Sequence, residues 1–265
     1  MTGAAAFARS RRMLLDVDTG YEGKFDFPRR AEAPELAYML ASIPRTGSTW
    51  LSHLLWQTGC LGAPLEYLNF EKTGPYFFAA HSAEAQARLW QSLLHRRTSP
   101  NGVFGFKIFP VQLQALDKAN PALLASLRPS RIVYLDRRDR NAHIVSLARA
   151  SVTGVWRKEQ EKDLAAPPSY SQEALEAAER GIKVQAAGWE RMFQERAIEP
   201  LRLFYEDALA APEETVQSVA EYLGVELTPG AEVKVPPVLK QSHAGSEDWG
   251  ARYERSKEAA EGFRL

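Results

Sequence analysis

The chain reads as apolar runs of strand length alternating with stretches of helical period. Residues 36–43 are almost continuously apolar, the pattern of a strand covered on both faces rather than one with a wet side. Pro44 ends the run. Gly47-Ser48-Thr49 then opens a stretch with Trp50, Leu51, Leu54 and Leu55 at helical spacing, which stops at Gly59. The first unit is therefore strand, tight turn, helix. Beyond it the pattern predicts a helix over 83–95, a strand over 103–109 closed by Pro110, a helix over 112–119 and a buried strand over 131–135. A charged turn, 136–140, leads into a helix over 141–150. The polar, proline-bearing stretch 156–169 predicts a loop. Residues 171–195 are amphipathic and offer Leu175, Ile182, Trp189 and Phe193 to a core. A strand over 201–205 follows, then a helix over 212–223. That helix is acidic in its first turn and is stopped by Gly224, as the helix dipole and a glycine C-cap favour.

Strands alternating with helices imply an α/β fold with a mostly parallel central sheet flanked by helices. In such sheets ligands bind beyond the carboxyl ends of the strands. The turns leaving Ile43 and Leu135 are thus the places to look for chemistry.

Composition narrows the field. The 265 residues, 45% hydrophobic, suit one domain over 1–265, with 1–30 as an N-terminal extension. Lys+Arg and Asp+Glu are both 33, so no basic surplus points to nucleic acid. Cys60 is the single cysteine, which excludes an intramolecular disulfide and a cysteine-based zinc cluster and suits a reducing compartment. Arg9, Arg11 and Arg12 have only a short apolar flank, with no signal-peptide core after them, and no run is long enough to span a bilayer. A cytoplasmic protein is expected.

The first turn reads Pro44-Arg45-Thr46-Gly47-Ser48-Thr49-Trp50. A glycine-bearing turn between a buried strand and a helix cradles anions through the free N–H groups of the helix start. Against the P-loop pattern, Gly47 and Thr49 fit, Ser42 replaces the first glycine, and Ser48 replaces the lysine. The cation has moved back to Arg45. The turn is P-loop-like without a Walker lysine, which disfavours an ATP-dependent kinase. The bland alternative is a plain connector with a Ser/Thr cap.

This word resembles the 5'-phosphosulfate loop of sulfotransferases that use 3'-phosphoadenosine-5'-phosphosulfate (PAPS). The resemblance implies that Thr46, Gly47, Ser48 and Thr49 hold the 5'-phosphate through backbone N–H groups, while Arg45 stabilises the leaving phosphate. Trp50 either offers a face to the adenine or belongs to the core. PAPS and its product PAP also carry a 3'-phosphate. A guanidinium at a strand end with a hydroxyl on the next helix suits that anion. Arg137 and Ser146 match the family's second PAPS motif, against the alternative of an exposed charge cluster in which Asp139 caps the helix.

A third word, Thr58-Gly59-x-x-Gly62-x-Pro64-x-Glu66-Tyr67, narrows the resemblance to the bacterial trehalose 2-sulfotransferase family, which includes rhizobial lipo-oligosaccharide sulfotransferases. Similar words recur at Gly102 to Lys107, Val155-Trp156-Arg157, Gly188-Trp189 and Ser246 to Tyr253. The resemblance implies Glu66 as general base for the acceptor hydroxyl, with His53 and His143 as rivals. Without it, Glu66 reads as a solvated loop carboxylate. Lys107 either assists charge at the transferred sulfonate or is an ordinary strand-end lysine. Lys240 and Gln241 would fold over the nucleotide from a late loop. Glu206-Asp207 reads as a cap for the helix over 212–223. The transferred group is singly charged, so no metal is expected. The implied acceptor is a small carbohydrate or glycolipid, and a homodimer is compatible. Trp50, where the trehalose enzymes tend to carry leucine, and the N-terminal extension leave the acceptor open. A non-catalytic PAP-binding module is the non-enzyme alternative, and Glu66 counts against it.

Overall fold

The structure, a computed structural model, describes residues 23–69, 76, 82–119, 121, 122, 125, 129, 131–156, 168–227, 235, 236 and 246–262. Its frame is a four-stranded parallel sheet of β1 (Leu36–Ser42), β2 (Val103–Ile108), β3 (Arg131–Asp136) and β4 (Leu201–Phe204), in the order β2-β1-β3-β4. The apolar runs form strands because both faces are covered. Met39, Ala41, Ile132 and Tyr134 point into one core. Tyr38, Leu40, Val133 and Leu135 point into the other. This is period-two alternation between two buried layers.

The helices are α1 (Ser48–Gln57), α2 (Ala83–Arg97), α3 (Pro110–Ala119), α4 (Arg140–Thr153), α5 (Gln172–Glu195), α6 (Tyr205–Ala210), α7 (Pro212–Leu223) and α8 (Ser246–Gly262). Leu51, Leu54 and Leu55 of α1 and Val216 and Val219 of α7 cover one face. Residues of α2, α4, α5 and α8 cover the other, among them Trp90, Ile144, Trp189 and Trp249. Trp189 also donates its indole N–H to the Ser42 carbonyl at 2.9 Å, tying α5 to the end of β1.

Sheet order decides where a site can form. From β1 the chain steps to β2 on one side, and β3 then pairs on the other. The order reverses between β1 and β3. The helix after β1 lies on one face and the helix after β3 on the opposite face. Loops diverging in this way open a crevice at the carboxyl edge.

Several boundaries differ from the expected ones. α3 begins at Pro110, since proline lacks only an N–H that a first helical turn leaves unpaired anyway. β4 stops at Phe204, and Tyr205 opens the short α6 with no intervening loop. α8 was not foreseen as a helix. Ser171 caps α5 by accepting from the Ala174 N–H at 3.2 Å. Asp139 caps α4 by accepting from the Ala142 N–H at 2.8 Å. Cys60 is a buried free thiol. Among the described residues no helix is long and apolar enough to cross a membrane.

Candidate active site

The turn after β1 holds two residues in the left-handed region, Arg45 with φ 73° and Gly47 with φ 84°. Gly47 is the N-cap of α1, and no side chain caps it. The N–H groups of the first turn therefore face outward without an intrahelical partner. A Cβ on Gly47 would lie 2.2 Å from Cδ2 of Tyr205, so only glycine fits beneath that ring. The loop is anchored from inside. Thr46 Oγ1 donates to the Ile43 carbonyl at 2.9 Å. His143, fully buried, sits 2.8 Å from the Pro44 carbonyl through Nε2. A carbonyl only accepts, so the proton is on Nε2. Burial, the largest influence, pushes the His143 pKa down to about 4. The ring is neutral near pH 7 and ties the loop to α4.

Arg45 reaches across the crevice. Its Nε donates to Ser146 Oγ at 3.0 Å, and Nη1 donates to the Trp156 carbonyl at 2.5 Å. Arg137 approaches from the β3 side. Its Nη1 lies 3.4 Å from the Arg45 carbonyl, its guanidinium sits 5.6 Å from the Tyr205 ring centroid, and Nε is 3.7 Å from a Glu206 carboxylate oxygen. Nε is buried and has no hydrogen-bond partner among the described residues. Arg138 diverges, pairing with Asp207 at the surface. Arg45, Ser146 and Arg137 are thus brought together at the β1–β3 crevice.

A second cluster stands on the β2 side. Leu65 forms a parallel bridge to Phe106, and its carbonyl accepts from the Lys107 N–H at 2.9 Å. The segment after Gly62 therefore runs beside β2 like a fragment of a further strand. Gly62 permits this, because a Cβ there would fall 2.8 Å from the Val103 carbonyl oxygen. The register sets Glu66 beside Lys107. Lys107 Nζ lies 3.2 Å from Glu66 Oε2 and donates to Thr49 Oγ1 at 3.1 Å. Gln112 Nε2 donates to Glu66 Oε1 at 2.8 Å. The carboxylate is mostly enclosed, its side chain 13% exposed.

Trp50 packs edge-on against Tyr205, with centroids 6.4 Å apart, and donates its indole N–H to the Pro236 carbonyl at 3.1 Å. It is shared between core and rim. His53 packs against Phe25, ring centroids 5.0 Å apart. Lys240, Gln241 and Arg157 lie outside the described residues. Gln112, Tyr205 and Glu206 join the site without having been assigned there. Glu206 accepts from the backbone N–H groups of Arg138 and Asp139, at 3.0 and 3.2 Å. It braces the second turn and does not cap α7, whose N-cap Ala211 has no side-chain bond. Among the described residues no group of three or more His, Cys, Asp or Glu is placed to hold a metal ion.

An uncapped glycine turn at the switch point of a parallel sheet, with arginines converging on it from both strands, defines a P-loop-like enzyme built for an anionic substrate. The Stf0 sulphotransferase family matches residues 37–256, and the chain belongs to that family; it is a sulfotransferase. Two relatives bear the name trehalose 2-sulfotransferase. The one from Mycolicibacterium smegmatis is 26% identical over 256 residues, covering 83% of this chain and 94% of that protein. The one from Mycobacterium tuberculosis is 27% identical over 254 residues, covering 82% and 93%. A solved sulfotransferase from Alicyclobacillus acidocaldarius is 14% identical with a TM-score of 0.44, over 85% of this chain and 93% of its own.

Proposed function

We propose that this enzyme moves a sulfuryl group from PAPS to a hydroxyl of a small carbohydrate, by in-line displacement with Glu66 as general base, and that 1–265 form one sulfotransferase domain. The observation that carries the donor is Arg137. Its side chain is mostly buried, its Nε is unused among the described residues, and its nearest carboxylate is 3.7 Å away. A guanidinium held this way beside an uncapped anion loop has donors to spare for a second phosphate. The 5'-phosphate suits the N–H groups of Thr46 to Thr49, and the 3'-phosphate suits Arg137 with Ser146. The relatives' names point to a sugar acceptor.

The chemistry distributes as follows. The acceptor oxygen forms a bond to sulfur as the bond from sulfur to the bridging phosphate oxygen breaks. Glu66 takes the acceptor proton. The electron pair leaves with the phosphate, where Arg45 and the loop N–H groups hold the growing charge. Lys107, between Glu66 and Thr49, lies beside the path of the transferred group.

The test is sulfuryl transfer from labelled PAPS to trehalose and a panel of other mono- and disaccharides, by wild type and Glu66→Gln. Transfer by the wild type, a kcat loss of about 100-fold or more in the variant and unchanged PAP affinity support the reading. Undiminished turnover by Glu66→Gln would remove Glu66 from the base role.

A further inference from the structure

We infer that Gln112 is the positioning residue of the general base; the inference rests on the reading of Glu66 given above. The Gln112 side chain folds back over the start of α3. Its Oε1 accepts from the Phe109 N–H at 3.0 Å. With that oxygen committed to a backbone donor, the amide can present only Nε2 to Glu66, and it does so at 2.8 Å. The hydrogen-bond network thus fixes which way the amide points. Gln112 is a one-way donor to Glu66 Oε1.

Glu66 is gripped at both oxygens, by Gln112 on Oε1 and by Lys107 on Oε2. The two grips differ in kind. Lys107 is shared with Thr49 of the anion loop, so its hold on Glu66 depends on what that loop binds. A sulfonate arriving beside Thr49 competes for the same ammonium. Gln112 is tied by its other polar atom to the backbone of Phe109, the residue just before its helix, and not to the loop, so its hold does not change with the donor. When Lys107 turns toward the donor, Gln112 keeps the plane of the carboxylate aimed at the acceptor hydroxyl. It acts on the reaction through Glu66.

Gln112→Met separates this role from simple capping of α3, because it removes both bonds without adding a charge. Gln112→Glu would instead set a second carboxylate against Glu66, and like charge alone disfavours the ionised base. A residue that only supports the helix start lowers stability in Gln112→Met and leaves its kcat at that of wild type. A positioning residue gives Gln112→Met a kcat loss of about 10- to 100-fold, the worth of one hydrogen bond to a charged group. The KM for PAPS then stays within about twofold. A further readout needs no substrate. The Gln112 side-chain amide protons, assigned by their disappearance in Gln112→Met, should shift in the proton–nitrogen spectrum of Glu66→Gln, because their charged acceptor is gone. An unmoved amide signal, or normal kcat in Gln112→Met while Glu66→Gln is inactive, overturns the positioning role and leaves Glu66 as base. Full turnover in Glu66→Gln overturns the base reading itself.

Discussion

Gly47→Ala tests whether the glycine turn after β1 is shaped by the Tyr205 ring packed over it. Two costs can be separated. The first is local. At φ 84° an L-residue pays about 1–2 kcal/mol for the left-handed conformation. The second is tertiary. The new methyl would lie 2.2 and 2.5 Å from Cδ2 and Cε2 of Tyr205, well inside contact distance. Overpacking of this kind costs about 1–3 kcal/mol once neighbours shift. Together they make about 2–5 kcal/mol, which a domain stable by about 5–15 kcal/mol survives. The ring cannot yield freely, because Tyr205 packs against Trp50 and lies under Arg137.

The assay is urea unfolding of four proteins: wild type, Gly47→Ala, Tyr205→Ala and the double variant. In the Tyr205→Ala background the steric cost vanishes and only the backbone cost stays. Gly47→Ala should therefore cost about 1–2 kcal/mol there against about 2–5 kcal/mol in wild type. The difference is a coupling energy of about 1–3 kcal/mol between two residues 158 positions apart. PAP titration of the same proteins should show Gly47→Ala losing most of its affinity, since moving the loop misaligns the N–H groups of Thr46 to Thr49. Equal costs in both backgrounds would refute the claim that Tyr205 presses on the loop. A cost below about 0.5 kcal/mol with PAP affinity intact would refute the requirement for glycine altogether.

Two further outcomes follow from the same geometry. Arg137→Ala should weaken PAP by about 10- to 150-fold, the worth of hydrogen bonds to a charged group, while 5'-AMP binding changes little; calorimetry with both ligands checks this, and equal losses would mean that Arg137 does not read the 3'-phosphate. His143 should make the protein less stable as pH falls from 6.5 towards 4. The folded ring resists protonation until about 4, whereas the unfolded ring takes its proton near 6.5, so the unfolded state binds more protons across that window and the loss reaches about 2–3 kcal/mol. His143→Gln should flatten that part of the urea-midpoint profile, and an unchanged slope would remove His143 as its source.

The parts legible in the sequence are those built from neighbours along the chain. β1 and β3 announce themselves because a strand buried on both faces has no polar positions to interrupt it. The turn at Arg45 to Trp50 is legible because strand, glycine and helix start are contiguous. Structure that depends on distant partners left weaker marks. α8 buries chiefly Trp249 and Tyr253, one pair four residues apart, which is too few to display a helical period. α6 follows β4 directly, and its N-cap Phe204 offers no capping side chain, so nothing in composition separates strand from helix. Gln112 meets Glu66 only because the segment after Gly62 runs beside β2. Tyr205 could have been found by topology. β4 pairs with β3, so the residue just past its end emerges at the edge where the two turns lie.

A net charge of zero concealed the cationic crevice, and the structure shows how the two coexist. Two basic residues of the site each have a carboxylate nearby at a single contact. Lys107 meets Glu66 at 3.2 Å, and Arg137 meets Glu206 at 3.7 Å. The arginines that hold the scaffold behave differently. Arg140 grips Asp136 with two bonds of 2.7 and 2.6 Å, and Arg202 grips Glu190 with two of 2.7 Å. Two short parallel bonds use the guanidinium fork fully and leave little to offer a ligand. The one long contact of Arg137 balances the charge without saturating its donors. Such a cation is kept from repelling its neighbours while the crevice is empty, and an incoming phosphate or sulfonate can outbid a partner held at 3.7 Å far more cheaply than one held at 2.6 Å. The contrast in geometry therefore separates a cation with donors to spare, Arg137, from those whose forks are filled by the fold, a distinction that residue type and spacing do not carry.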